Sequence, residues 1–348
     1  MKKEKKQTNR LNKELIDKLV QKKEVPNADL YFQKIRDGNR IYLSKAITLI
    51  ESNNPEYYKI GQQILKKCLP FSGNSIRIGI TGVPGVGKST FIEALGKEYI
   101  KTGHKVAVLA IDPSSSLSKG SILGDKTRME QLSKNKNAFI RPTASGNQLG
   151  GVAQKTRETI ILCEAAGFNK ILIETVGVGQ SETMVASMTD FFLLLKLAGA
   201  GDELQGIKRG IIEMADLIVI NKAEGDNLTA AKIAKKTFET ALHYYPPKNN
   251  NWQPKVVLSS ALYHKGIDEI VQIINNYETF VKNNHTFEKK RKQQDLQWFE
   301  ENIKQKVMEY FYKKPFVVKN IEKIKNLITS KKISVYEGVE KLIQNTLK

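Results

Sequence analysis

The stretch Gly82-Val83-Pro84-Gly85-Val86-Gly87-Lys88-Ser89-Thr90 constrains the fold most, because it lies between an apolar run, residues 76–80, and a helix-like run, residues 90–100. Strand, glycine-rich turn and helix in immediate succession make a phosphate-binding loop. The glycines let successive backbone N–H groups turn inward around a polyphosphate, and the helix opening at Lys88 adds its positive dipole end. Lys88 is placed to reach the outer phosphates, and the Ser89 hydroxyl to sit on a magnesium ion.

Residues 71–282 alternate short apolar strands with longer helical stretches, the pattern of an α/β P-loop NTPase with a mostly parallel sheet wrapped by helices. The predicted strands are 76–81, 106–111, 170–175, 191–197, 217–221 and 256–259. Their nearly continuous apolar character suits strands buried on both faces. Ligands bind such sheets at the C-terminal strand ends. Asp112 follows the second predicted strand, and Glu174 lies at the end of the third, ahead of Gly177. Magnesium takes hard oxygen ligands and keeps several waters, so Asp112 and Glu174 would bind it directly or through water beside Ser89. Either carboxylate alone reads more often as a solvated strand end; their agreement with the loop favours the metal. Gly177 would let a backbone N–H approach a γ-phosphate.

Base choice is written after the fifth predicted strand, in Asn221-Lys222-Ala223-Glu224. Guanine presents an N1–H and an exocyclic amine side by side, and one carboxylate accepts both hydrogen bonds; adenine has no such pair on that edge. Asn221 would bond the other edge of the base, and the Lys222 stem would cover its plane. GTP-binding proteins usually carry aspartate where this chain has Glu224, so the extra methylene is absorbed by loop position or Asp226 serves instead. Ser259-Ser260-Ala261, after the last predicted strand, supplies a small-residue turn whose backbone N–H meets the guanine oxygen.

Charge and cysteine content narrow the alternatives. The chain carries a net charge of +20, and residues 1–70 and 281–348 each hold 16 basic against 8 acidic residues, so the excess lies at the two ends. It is mostly lysine, mixed with glutamate and without interleaved aromatics and arginines, which favours a solvated helix face over a nucleic-acid site and leaves an acidic partner open. Cys68 and Cys163 stand far apart inside apolar helical patterns and read as buried free thiols. His104, His243, His264 and His285 have no metal-ligand spacing. No apolar run approaches the roughly 20 residues that cross a bilayer, no apolar segment of a signal peptide follows the basic start, and the expected location is the cytoplasm.

The stretches Ala110-Ile111-Asp112-Pro113-Ser114-Ser115, Gly120-Ser121-Ile122-Leu123-Gly124-Asp125-Lys126-Thr127-Arg128-Met129, residues 174–182, and Gly199-Ala200-Gly201-Asp202-Glu203-Leu204-Gln205-Gly206-Ile207-Lys208 resemble the G-protein chaperones of methylmalonyl-CoA mutase. Bacterial members of that family were long labelled arginine or ornithine transport-system kinases. The similarity covers nearly the whole chain, including Ala46-Ile47-Thr48-Leu49-Ile50-Glu51-Ser52, and Glu224 is the one departure at a recognised site. The resemblance implies that GTP binding and slow hydrolysis to GDP gate delivery of adenosylcobalamin to the mutase and guard it against inactivation. It also implies that the chaperone holds no cobalamin itself. Lys88 and Ser89 carry over as phosphate and magnesium residues, and Asp112, Asp125 and Glu174 as acidic residues around the metal. Residues 199–208, ending at Lys208, correspond to an additional switch felt by the mutase; read from the residues alone, they equally form a solvated glycine-hinged turn. A related cobalamin-dependent acyl-CoA mutase, such as isobutyryl-CoA mutase, is an equivalent partner.

Val178 follows Gly177, where Ras-like proteins place the water-positioning glutamine. Gln180 is either its substitute or an ordinary loop residue, and slow turnover raised by a partner is the expectation. The ends are helical. In residues 1–70, Leu11, Leu15 and Leu19 repeat at a spacing of four, and Ile41, Leu43, Ala46, Ile47 and Ile50 form a second pattern expected to pack as a cap on the next domain. In residues 283–348, Leu296, Phe299, Ile303, Val307 and Tyr310 share one face, and Pro315 separates them from further helical patterns. That face suits packing on its own domain or on a second subunit, and the resemblance favours a homodimer built with this arm. Three rivals remain: a kinase acting on a transport protein, which needs an acceptor motif; a metal-insertion GTPase, which needs His or Cys ligands; and an RNA-associated GTPase, which needs salt-dependent RNA affinity.

Overall fold

The computed structural model describes residues 26–111, 129–143, 149–175, 181–199 and 209–344. In chain order these form α1 (Ala28–Arg36), α2 (Arg40–Glu51), α3 (Pro55–Cys68), β1 (Ile76–Gly82), α4 (Lys88–Lys101), β2 (Val106–Ile111), α5 (Glu130–Lys134), β3 (Ala138–Thr143), α6 (Leu149–Ala165) and β4 (Lys170–Thr175). There follow α7 (Ser181–Ala186), β5 (Phe191–Leu197), α8 (Arg209–Met214), β6 (Leu217–Asn221), α9 (Asn227–Leu242), β7 (Lys255–Leu258), α10 (Ile267–Asn283), α11 (Thr286–Lys313), α12 (Pro315–Thr329) and α13 (Val335–Gln344).

The strands make one sheet in the order β3-β2-β4-β1-β5-β6-β7, and every pairing is parallel. Alternate residues serve opposite faces. Ile78, Ile80, Val106, Val108, Leu172 and Leu193 pack with Phe91, Leu95 and Tyr99 of α4 and with α10. On the other face Ala107, Leu109, Ile171, Ile173 and Phe192 pack with α6 and with Ile35, Leu43, Ile47, Ile50 and Ile64 of the first three helices. Those helices therefore bury their apolar sides in the core of the sheet. Each starts at an asparagine, Asn27, Asn39 or Asn54, whose side-chain oxygen accepts two backbone N–H groups of the first turn.

β3 is a strand that the apolar pattern misses, because Arg141 and Pro142 interrupt it. At the sheet edge proline is tolerated, since it need not donate to a further strand. Strand ends also shift: β1 runs on to Gly82, and β7 spans Lys255–Leu258. Ile41 departs from the expected cap pattern and is exposed, while Leu49 takes its place in the core. Leu11, Leu15 and Leu19 lie outside the described residues. Cys68 and Cys163 are buried free thiols, and burial pushes the Cys68 thiol up to about 12. Among the described residues no helix is long and apolar enough to cross a membrane.

An ionic network roots the C-terminal helices in the sheet. Arg291 of α11 donates from Nε and Nη2 to the two carboxylate oxygens of Asp190, at 2.5 and 2.6 Å, and its Nη1 lies 3.6 Å from Glu164. Glu164 also accepts from Ser75 Oγ at 2.6 Å and from Arg77 Nε at 2.9 Å. Beyond this root Leu296, Phe299, Ile303, Val307 and Tyr310 are exposed.

Burial opposes ionisation of Asp190 and Glu164, but the neighbouring guanidinium groups outweigh it and hold both carboxyls below their ordinary values of 3.8 and 4.5. Replacing Arg291 with leucine leaves two buried charges short of a partner and should lower unfolding free energy by about 3–5 kcal/mol at neutral pH. Because both folded values are depressed, their contribution is complete above the ordinary values and lost as pH falls through the folded ones. Denaturant unfolding of the wild-type and Arg291→Leu proteins should therefore converge on acidification.

Candidate functional site

The glycine-rich loop hangs from the C-terminal end of β1, at the centre of the sheet. Gly82 must lack a side chain, since a Cβ there would meet the Leu195 carbonyl oxygen of β5 at 2.6 Å. Gly87 stands in the left-handed region (φ 90°) as the residue ahead of α4, turning the chain so that the first N–H groups of that 14-residue helix face the loop's concavity. Val86 is buried beneath, Pro84 and Gly85 are exposed, Val83 and Ser89 are half-buried, and Thr90 is exposed. Lys88 is buried, and its Nζ donates to the carbonyls of Gly82 at 2.8 Å and Val83 at 3.3 Å. Burial pulls its pKa down, while Glu174 and Glu182 pull it up.

Glu174 lies on β4, which is hydrogen-bonded to both β1 and β2; its register partners are Ile80 and Ala110. The strand that ends before Asp112 is thus one place removed from the loop, and Glu174 is on the adjacent strand. The Thr81 and Thr175 hydroxyls, 2.9 Å apart and buried, join the two strand ends. Glu182 of α7 is also buried, and its charge favours the Lys88 ammonium, a role that the residues alone do not suggest. The signal was its place in the residue 174–182 stretch. The structure therefore brings together Lys88, Glu174 and Glu182, with Ser89 next along the helix. Asp112, Asp125, Gly177, Gln180 and Lys208 lie outside the described residues.

The predicted base-reading loops are laced to the phosphate loop through one side chain. Asn221, buried at the end of β6, donates from Nδ2 to the Val86 carbonyl at 2.8 Å, and its Oδ1 accepts the Ala261 N–H at 3.3 Å. The Ala223 N–H donates to the Ser259 carbonyl at 3.0 Å, and Ser260 and Lys265 exchange backbone bonds of 3.1 and 3.0 Å that close the turn. Lys222 is exposed and in the left-handed region (φ 56°). Glu224 is half-buried, and its Oε2 is buried without a hydrogen-bond partner, whereas Asp226 is exposed. A buried carboxylate oxygen without a donor is costly, and a ligand presenting N–H groups satisfies it. Of the two carboxylates that could read a guanine edge, Glu224 is the one with a buried oxygen lacking a partner.

The arrangement fits a guanine nucleotide: helix N–H groups and a lysine for phosphates, a hydroxyl and a carboxylate for a magnesium ion, and an unpartnered carboxylate oxygen for the base. Comparison with known proteins adds to it. Residues 43–315 match the family described as "Methylmalonyl Co-A mutase-associated GTPase MeaB". The chain is 48% identical over 280 residues to the "GTPase ArgK" of Escherichia coli (strain K12), covering 80% of this chain and 85% of that protein. It is 40% identical over 332 residues to the "Methylmalonic aciduria type A homolog, mitochondrial" of Mus musculus, covering 92% and 80%. A solved structure described as an LAO/AO transport system kinase superposes with a TM-score of 0.74 at 37% identity, covering 92% of this chain and 98% of that one.

Asn221→Ala would strand the Val86 carbonyl and the Ala261 N–H at once. It should cost roughly 1–3 kcal/mol per group left unpaired, read as a lower denaturant midpoint at unchanged slope.

Proposed function

The chain belongs to the methylmalonyl-CoA mutase-associated GTPase MeaB family, and from that membership and the site we propose a GTP-binding chaperone that hydrolyses GTP slowly to GDP. In this reading it gates adenosylcobalamin loading of methylmalonyl-CoA mutase or a close acyl-CoA mutase, protects that enzyme, and binds no cobalamin itself. The observation that carries the nucleotide is the unpartnered Glu224 Oε2 beside the Asn221 lacing. Support for the partner is the family description and the relatives' names.

Each residue has a defined task. Lys88 leaves the Gly82 and Val83 carbonyls for the β- and γ-phosphates, and the N–H groups of residues 85–90 cradle them. Glu224 accepts the paired guanine donors, Ser259 to Ala261 present backbone N–H to the guanine oxygen, Asn221 braces both loops, and Lys222 covers the base plane. Magnesium neutralises phosphate charge when bound; Ser89 and Glu174 would hold it, with Asp112 and Asp125. Gln180 is the residue we assign to orienting water, and Lys208 belongs to the switch that the mutase reads. The exposed apolar face of α11 is the surface we assign to a homodimer.

The deciding experiment is phosphate release from GTP by the purified protein with magnesium, with and without a methylmalonyl-CoA mutase from the same source, using ATP as control. Selective, slow GTP hydrolysis that rises with mutase is expected. Equal use of ATP would remove the guanine assignment, no response to mutase would remove the partner, and transfer of the γ-phosphate to a protein would favour a kinase. Glu224→Ala should weaken GDP binding by about 10- to 100-fold, in line with a lost charged hydrogen bond, with little change in ATP binding measured alongside.

A further inference from the structure

We propose that Arg157 of α6 couples the phosphate loop to the C-terminal arm, so that the bound nucleotide sets the position of α11 relative to the sheet. The inference rests on the nucleotide reading above and adds a route within the chain from the site to the arm.

The route begins at β1. Gly79 is closely covered: a Cβ there would be 2.8 Å from Val185 Cγ1 of α7, 2.9 Å from Phe192 Cδ2 of β5 and 3.1 Å from Thr189 Oγ1. α7 also carries Glu182, which is buried and whose charge acts on the Lys88 ammonium. When Lys88 leaves the Gly82 and Val83 carbonyls for phosphate, the charge facing Glu182 moves, and α7 is the element that feels it. At the far end of α7, Ser187 donates from Oγ to the Met184 carbonyl at 2.8 Å and accepts from Arg157 Nη2 at 2.9 Å. Arg157 reaches the arm with its other amino group, Nη1 donating to the Gln294 carbonyl at 3.1 Å. Its guanidinium also lies 5.8 Å from the Trp298 ring, and Nη2 lies 4.0 Å from a Glu301 carboxylate oxygen.

The junction has the chemistry of a joint with two arrangements. Arg291, three residues before Gln294 and nearer the root, is paired with Asp190 through two short bonds. Arg157 is as deeply buried, yet its Nε has no hydrogen-bond partner, and the same holds for Gln294 Oε1 and Trp298 Nε1. Arg157 Nε is a donor and Gln294 Oε1 an acceptor; their residues are already hydrogen-bonded through Nη1 and the backbone carbonyl, and Gln294 Nε2 donates to the Thr189 carbonyl at 2.9 Å, which holds the amide beside the segment that follows α7. A small displacement of α7 and α6 against α11 can exchange one pairing for the other, giving a discrete second state that the phosphate loop can bias.

Full-length protein labelled with fluorotryptophan tests this, since the chain has 2 tryptophans, Trp252 and Trp298. Trp298→Phe assigns the two ¹⁹F resonances. With magnesium, the Trp298 resonance should differ between GDP and a non-hydrolysable GTP analogue, and that difference should vanish in Ser187→Ala and Arg157→Gln. The ratio of GDP to analogue affinity should also shift by about fivefold or more in Arg157→Gln, the lower end of typical coupling. Should Arg157→Gln unfold, Ser187→Ala decides, since it removes one hydroxyl. A Trp298 resonance identical in both nucleotides, or a difference that persists in Ser187→Ala, overturns the coupling alone. A titration with fluorescent GDP runs in parallel, and failure to bind would overturn both the coupling and the nucleotide reading.

Discussion

The burial of β1 between β4 and β5 is the constraint on which the rest of the molecule depends. A parallel strand with neighbours on both edges and helices on both faces leaves only its ends open. Its C-terminal end therefore becomes the place where backbone N–H groups can face solvent, and the glycine loop occupies it. β4 delivers Glu174 and Thr175 on one side, and β5 presses the Leu195 carbonyl against Gly82 on the other. β6, one strand further, brings Asn221 within reach of Val86. The site is a consequence of strand order.

Two kinds of buried polar group separate architecture from function. Asp190, Glu164, Arg77 and Arg291 satisfy one another, and they fix where the arm leaves the sheet. Glu224 Oε2, Arg157 Nε and Gln294 Oε1 have no hydrogen-bond partner within the protein, which sets them apart from the paired groups at the root. At Glu224 the proposed use is a ligand; at Arg157 it is the proposed second arrangement of the same side chains.

Much of the site was legible in the chain because its parts are local. The loop from Gly82 to Thr90, the run from Asn221 to Glu224 and the Ser259–Ala261 turn each state their chemistry in consecutive residues, and the strands before them are continuous apolar runs. β3 was less legible because its edge position tolerates Arg141 and Pro142, and edge tolerance is a property of neighbours. Ile41 fits a helical pattern yet faces out, since periodicity fixes a stripe and the contact decides its width.

The sequence by itself determined the fold class and the glycine-rich loop, and offered the candidate guanine-reading run, because backbone conformation, hydrogen-bonding capacity and apolar period are set by residues near one another in the chain. Only the tertiary structure decided which groups meet across it. That a Glu224 oxygen is buried while Asp226 is exposed is one such outcome. That the Glu182 charge acts on Lys88 is another, with α7 covering β1 at Gly79. The link from Ser187 through Arg157 to Gln294 joins residues 30 and 137 positions apart. Such contacts follow from strand order and helix packing, which bring distant side chains within a few ångströms, a scale on which sequence spacing carries no information.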